Sequence, residues 1–159
     1  MKRLTTWYIA LAKKKSATEE TVTIEDVERF PGFGLNPFVS RVFEVIVEEN
    51  PSSARGSDEV LVEDLFLLLS VFHANTDITF KQEYMFKCVD ADRDGYVSFG
   101  DLTYFYSILF PIKKADEIGL RAQLVFDSFK LMATEKLSSE QIASLFDQAS
   151  MNKRFDLIK

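Results

Sequence analysis

The chain has 159 residues, 47% of them apolar and fifteen of them phenylalanine, with a formal net charge of −6. That is enough for one ordinary domain or two small lobes around a real core, and it excludes a largely disordered chain. No apolar run approaches the ~20 residues of a bilayer-crossing helix, the single cysteine leaves no internal disulfide, and the acidic balance argues against nucleic acid as the main partner.

At the start of the chain, "MKRLTTWYIALAKKK" has too short an apolar part for a secretory signal. Lys2 stands where myristoylation needs glycine, so no stable membrane anchor is expected. Lys13, Lys14 and Lys15 read as a solvated helix face. With Cys88 its single cysteine, the sequence suits a reducing, cytoplasmic setting.

Further along, one pattern recurs four times: "TVTIEDVERF" (21–30), "EVLVEDLFLL" (59–68), "YVSFGDLTYF" (96–105) and "KLSSEQIASL" (136–145). Each has an apolar anchor, an acid or amide four places on, and then a helical stripe. The anchors Val22, Val60, Val97 and Leu137 recur at intervals of 38, 37 and 40. Such spacing marks a repeated supersecondary unit, read here as helix, loop, short extended step and helix. Between the first two units, "GFGLNP" (32–37) has neither a preceding strand nor the third glycine of a phosphate-binding turn, so it reads as a linker bend. His73 is the lone histidine and has no Cys/His ligand spacing around it; it is placed at the end of the "LFLLLSVFH" helix.

The third unit carries the chemistry. Met85, Phe86 and Val89 form an apolar stripe leading in, and Leu102, Phe105, Tyr106 and Leu109 one leading out before Pro111 stops the helix. The alternating "YVSF" between them predicts a short strand that a neighbouring unit can pair. Cys88 lies beside these core positions and is expected to be an inert thiol.

In "DADRDGYVSFGD", Asp90, Asp92 and Asp94 fall at positions 1, 3 and 5 of an EF-hand calcium loop. Gly95 stands at position 6, where the chain bends sharply. Tyr96 at position 7 offers its backbone carbonyl, Ser98 at position 9 holds a water or ligates weakly, and Asp101 closes the ring at position 12. Crowded carboxylates repel one another, Arg93 offsets only part of that, and a hard divalent cation removes it. One Ca2+ or Mg2+ is therefore expected. Asp101 is a methylene shorter than the usual glutamate, which predicts weaker calcium affinity and reduced discrimination against magnesium.

In the same frame, the first loop has Lys15, Ala17 and Glu19 at positions 1, 3 and 5 and Glu20 where glycine belongs. The fourth has Lys130, Met132 and Thr134, with Gln141 at position 12. Neither is expected to bind an ion. The second loop, within 47–64, is about six residues longer than the usual one.

The runs "NPFVSRVFEVI" (36–46), "EDLFLLLSVF" (63–72) and "YMFKCVDADRDGYVSFGDL" (84–102) resemble the calcineurin B group of the EF-hand superfamily, and within it the calcium- and integrin-binding proteins. The shared features are the Asn36-Pro37-Phe38 lead into the second unit, the distorted second loop, the "LLSVF" exit helix and aspartate at position 12 of the third loop. The likeness covers roughly residues 20 to 110. It implies an all-α, calmodulin-like array of four EF-hand units in two lobes, with short paired strands between the loops. The lobes are expected at 1–75 and 76–159.

The likeness further implies no enzymatic activity and a hydrophobic groove that receives an amphipathic helix of a larger protein partner. Leu65, Leu68, Leu69, Phe72, Phe105 and Leu109 are the candidates for lining it, and "FDLIK" (155–159) for covering it when empty. Relatives usually keep a working fourth loop and an N-terminal myristoyl group, which are not expected here. The reading is a calcium-binding regulatory or adaptor protein. Its rivals are a calcium-independent structural light-chain-like subunit and a phosphatase regulatory subunit.

Overall fold

The computed structural model describes residues 21–30, 32–50, 59–146, Met151 and Ile158. The described residues form seven α-helices and one two-stranded antiparallel sheet, a mostly helical chain consistent with an EF-hand fold. Residues up to Asp77 together with Ile158 make one compact unit, and Ile78–Met151 a second. Lys15, Ala17, Glu19 and Glu20 of the first loop, residues 51–58 of the second and most of the "FDLIK" tail lie outside the described residues.

In the first unit, β1 (Thr21–Thr23) runs into α1 (Ile24–Glu28). Thr23 caps that helix, its hydroxyl accepting from the Asp26 amide at 3.3 Å. The bend at 32–36 then delivers Asn36, whose side chain accepts from the Phe38 amide at 3.0 Å, and Pro37 opens α2 (Pro37–Glu49). Asparagine before proline is an efficient helix start, since one side chain satisfies an orphan amide and the other residue has none to satisfy. A wide stripe of α2, including Phe38, Val39, Val42 and Ile46, is buried. β2 (Glu59–Leu61) pairs with β1 so that Val22 faces Val60, and α3 (Val62–Val71) follows. Phe33 ties the bend to the core: its ring lies 4.7 Å from Phe30 edge-on and 5.3 Å from Phe72. Each such fully buried ring contributes about 2 kcal/mol.

The second unit holds α4 (Ile78–Val89), α5 (Phe99–Leu109), α6 (Ala115–Ser128) and α7 (Ser139–Leu145). Met85, Leu102, Phe105, Ala122, Phe126 and Ile142 fill its interior. Tyr106 and Leu109 of the outgoing stripe are half-buried. α5 stops before Pro111, as its sequence requires. Gln82 on α4 donates to the carbonyls of Ala143 and Phe146 at 3.1 and 2.9 Å, fastening the end of α7.

The four repeat anchors meet in pairs. Val97 and Leu137 form an antiparallel bridge with both hydrogen bonds at 2.9 Å, the counterpart of Val22 facing Val60. All four are buried. In the second unit the expected strand shrinks to this bridge, because Ser98 and Ser138 already act as N-caps of α5 and α7.

Candidate metal centre

α4 carries its last turn into the loop: the Asp90 amide still donates to the Phe86 carbonyl at 2.9 Å. That fixes Asp90 at the mouth of the helix with only 4% of its surface exposed. The chain then turns through Arg93, at φ 60°, and Gly95, at φ 85°. Gly95 has open space where a Cβ would stand, so glycine is needed there for its left-handed backbone rather than for room.

The turn gathers the carboxylates of Asp90, Asp92 and Asp94, with one oxygen of each within 4.8 Å of the others. Several loop amides are satisfied by those acids. Gly95 N–H donates to Asp90 Oδ2 at 3.0 Å, Tyr96 N–H to Asp94 Oδ1 at 2.9 Å, and Asp94 N–H to Asp92 Oδ1 at 3.3 Å. The remaining Asp90 oxygen, Oδ1, is buried without a hydrogen-bond partner. An ionised, buried and unpartnered carboxylate oxygen is costly. A divalent cation accepted by three converging acids removes that cost, so these residues fit a hard metal ion.

Asp101 stands apart from that cluster of three. Its Oδ2 accepts from the amide and the hydroxyl of Ser98 at 2.8 and 2.5 Å, and its Oδ1 from the Ala91 amide at 3.3 Å. Ser98 and Asp101 thus form a reciprocal capping box at the start of α5. Its short side chain keeps the Asp101 carboxylate against the helix start. Tyr96 presents its ring to solvent, 53% exposed.

The cation standing beside this site is one the sequence did not reveal. Arg93 lies within the loop, but its guanidinium donates to the Lys87 carbonyl at the end of α4. It is Lys136, at position 7 of the fourth loop, that pairs with Asp94 Oδ2. The only signal in the sequence was its place beside the anchor Leu137.

The electrostatics split the carboxylates. Burial lifts the Asp90 carboxyl above the usual range, the Gly95 amide opposes that, and Asp94, Asp101 and Asp92 push it further up. Asp94 is held below the usual range, chiefly by its hydrogen bond from Lys136. The Lys136 ammonium is correspondingly raised, with Asp92 and Asp101 adding to the field of Asp94.

Of the proposed groove residues, Leu65, Leu68 and Phe72 lie in the core of the first unit and Phe105 in that of the second. Leu109 is half-buried. Leu69 lines a cavity of about 260 Å³ in the first unit with Phe66, Ser70, His73, Thr76 and Ile158. His73 follows α3, as expected, and its Nδ1 accepts from the Asn75 amide at 3.2 Å. Cys88 is buried.

No family model matches the chain. Among curated proteins it is similar to the calcineurin B protein of Naegleria gruberi, at 28% identity over 141 residues that span 86% of this chain and 75% of that protein. The calcineurin B protein of Schizosaccharomyces pombe is 36% identical over 72 residues, 45% of this chain and 38% of that one. Calcium and integrin-binding family member 2 of Drosophila melanogaster is 33% identical over 86 residues, 54% and 42% of the two chains. In the last two cases the match spans less than half of the relative. The chain's relatives are calcineurin B-like. They agree with the EF-hand resemblance carried by the third loop and by the Asn36-Pro37-Phe38 lead-in. No helix among the described residues is long and apolar enough to cross a membrane.

Proposed function

We propose that the chain is a calcium-binding, non-catalytic EF-hand protein that regulates or adapts a larger protein partner. Its four helix–loop–helix units fall in two lobes, divided between residues 75 and 78, with one divalent site; Ile158 groups with the first lobe rather than the second, where the 76–159 bound would put it. The ligands are Asp90, Asp92, Asp94, the Tyr96 carbonyl, Ser98 and Asp101. The observation that carries this reading is the buried, unpartnered Asp90 Oδ1 beside two further carboxylates. The relatives' names, calcineurin B and calcium and integrin-binding family member, support calcium as the ion and a protein as the partner. Magnesium remains a competitor, because Asp101 is short and already engaged with Ser98 and Ala91.

The partner's amphipathic helix is received at the apolar surface beside Leu69, where Phe66 is 58% exposed. Leu65, Leu68 and Phe72 form the floor beneath it, with Phe105 and Leu109 as the corresponding positions of the second unit. In the absence of a partner, Ile158 covers part of this surface. Ile158 N–H donates to the Phe72 carbonyl at 3.0 Å, and the Ala74 amide donates to the Ile158 carbonyl at 2.8 Å.

Calorimetric titration with Ca2+ and with Mg2+ tests the site. One equivalent of ion should bind, and Asp90→Asn should weaken it by roughly a hundredfold through loss of a charged ligand. Binding left intact in Asp90→Asn, or no binding in the unaltered chain, would overturn the reading. Asp101→Glu should strengthen calcium more than magnesium. A calcium-independent structural subunit is the second reading, favoured by Lys136 already standing on Asp94. It predicts partner affinity unchanged by chelator.

A further inference from the structure

We infer that Lys136 is a tethered counter-cation, which competes with the divalent ion for Asp94 and lowers the ion affinity of the third loop from its seat in the fourth. The inference rests on the metal reading above and concerns how that site is regulated.

Its basis is the way the Val97–Leu137 bridge fixes the two loops against each other. Both hydrogen bonds of that bridge are 2.9 Å, so the backbone next to Leu137 cannot drift away from the third loop. Lys136 is that next residue, and its ammonium reaches Asp94 Oδ2. The acid it pairs with belongs to the cluster, since one oxygen each of Asp90, Asp92 and Asp94 lie within 4.8 Å of one another, and Asp92 and Asp101 add to the field at the ammonium.

A divalent ion entering the loop needs the Asp94 oxygen and cannot tolerate a cation against it. The ammonium must therefore leave, and its side chain is 46% exposed, which leaves it a route to water. Binding then costs one ion pair and gains relief from the repulsion among the acids. Without a metal, the same contact partly neutralises the loop. Ion capture by the third loop would thus release a positive charge on the fourth, whose positions 1, 3 and 5 are Lys130, Met132 and Thr134. The coupling runs both ways, since whatever draws Lys136 outward strengthens ion binding equally.

The test compares the full chain with Lys136→Gln and with Lys113→Gln, a control that removes a positive charge paired with Glu117 on α6. Titrated with Ca2+ and Mg2+, Lys136→Gln should bind both ions about three- to tenfold more tightly. Lys113→Gln should stay within about twofold of the unaltered chain. Metal-free Lys136→Gln should also melt lower than the unaltered chain, while the two melt together at saturating calcium. In the unaltered chain, amine labelling read by mass spectrometry should modify Lys136 faster with calcium than with chelator. This second measurement needs no variant to fold. Equal or weaker binding by Lys136→Gln, equal tightening in Lys113→Gln, or calcium-insensitive labelling of Lys136 overturns the inference while leaving the metal site standing. If neither the unaltered chain nor Lys136→Gln binds either ion, the metal reading falls and the inference with it.

Discussion

Around the Val97–Leu137 bridge, the third and fourth loops are built on one frame. Each follows its anchor with a serine N-cap and a reciprocal capping box, Ser98 with Asp101 and Ser138 with Gln141. They part at position 1. In the third loop Asp90 continues the helix and is buried, whereas in the fourth Lys130 takes a left-handed backbone, φ 57°, and ends α6. They also satisfy their backbones differently. The third loop uses the aspartates that would hold the ion, while in the fourth the Met132 amide donates to the Glu135 carboxylate at 2.6 Å and the Glu135 amide to the Met132 carbonyl at 2.9 Å. The frame and the ligand set are therefore separable: bridge and caps serve packing, and a loop can lack the acids at positions 1, 3 and 5 while keeping both.

A substitution at the shared bridge should have the largest effect. Leu137→Ala removes a fully buried side chain and should cost about 3 kcal/mol in denaturant unfolding. It should also weaken ion binding in the third loop, although Leu137 belongs to the fourth. A loss confined to stability would show the loops to be uncoupled.

Next in size, Gly95→Ala forces a side chain into a left-handed backbone with no steric clash around it, and should cost about 1–2 kcal/mol. Because the strain lies at the bend that gathers Asp90, Asp92 and Asp94, calorimetry should show ion affinity falling with it.

The capping boxes sharpen the separation of frame from ligands. Ser98→Ala and Ser138→Ala each remove an N-cap and should each cost about 1 kcal/mol of stability by thermal melting. Only Ser98→Ala should also lower ion affinity. Equal effects on affinity would contradict the division of roles.

The smallest effect is on pH. Burial holds the Asp90 carboxyl above its ordinary range, so its ionisation in the metal-free fold opposes stability. That cost begins as pH rises past the ordinary carboxylate value, is complete above the raised one, and is relieved by acid. Asp94, held low by Lys136, has the opposite sign: its contribution is present above the ordinary value and is lost as pH falls through the depressed one. In chelator, Asp90→Asn should be more stable than the unaltered chain near neutrality and converge with it on acidification. Denaturant midpoints between about pH 3 and 7 would show this.

The repeat, its anchors, the stop of α5 before Pro111 and the acids of the third loop are all legible along the chain. These follow from local spacing: an apolar residue every 37 to 40 positions must find a like partner, and an aspartate at each alternate position before a glycine must converge when the chain bends. Tertiary structure alone decided which anchor meets which, that Leu65, Leu68 and Phe72 lie in the core, and that the cation beside Asp94 comes from Lys136 rather than Arg93. Arg93 is adjacent in sequence, but the left-handed turn sends its guanidinium back to the end of α4. Lys136 is 42 residues away and arrives only because two hydrogen bonds join the loops. A contact that depends on loop-to-loop pairing leaves no periodic trace along the chain.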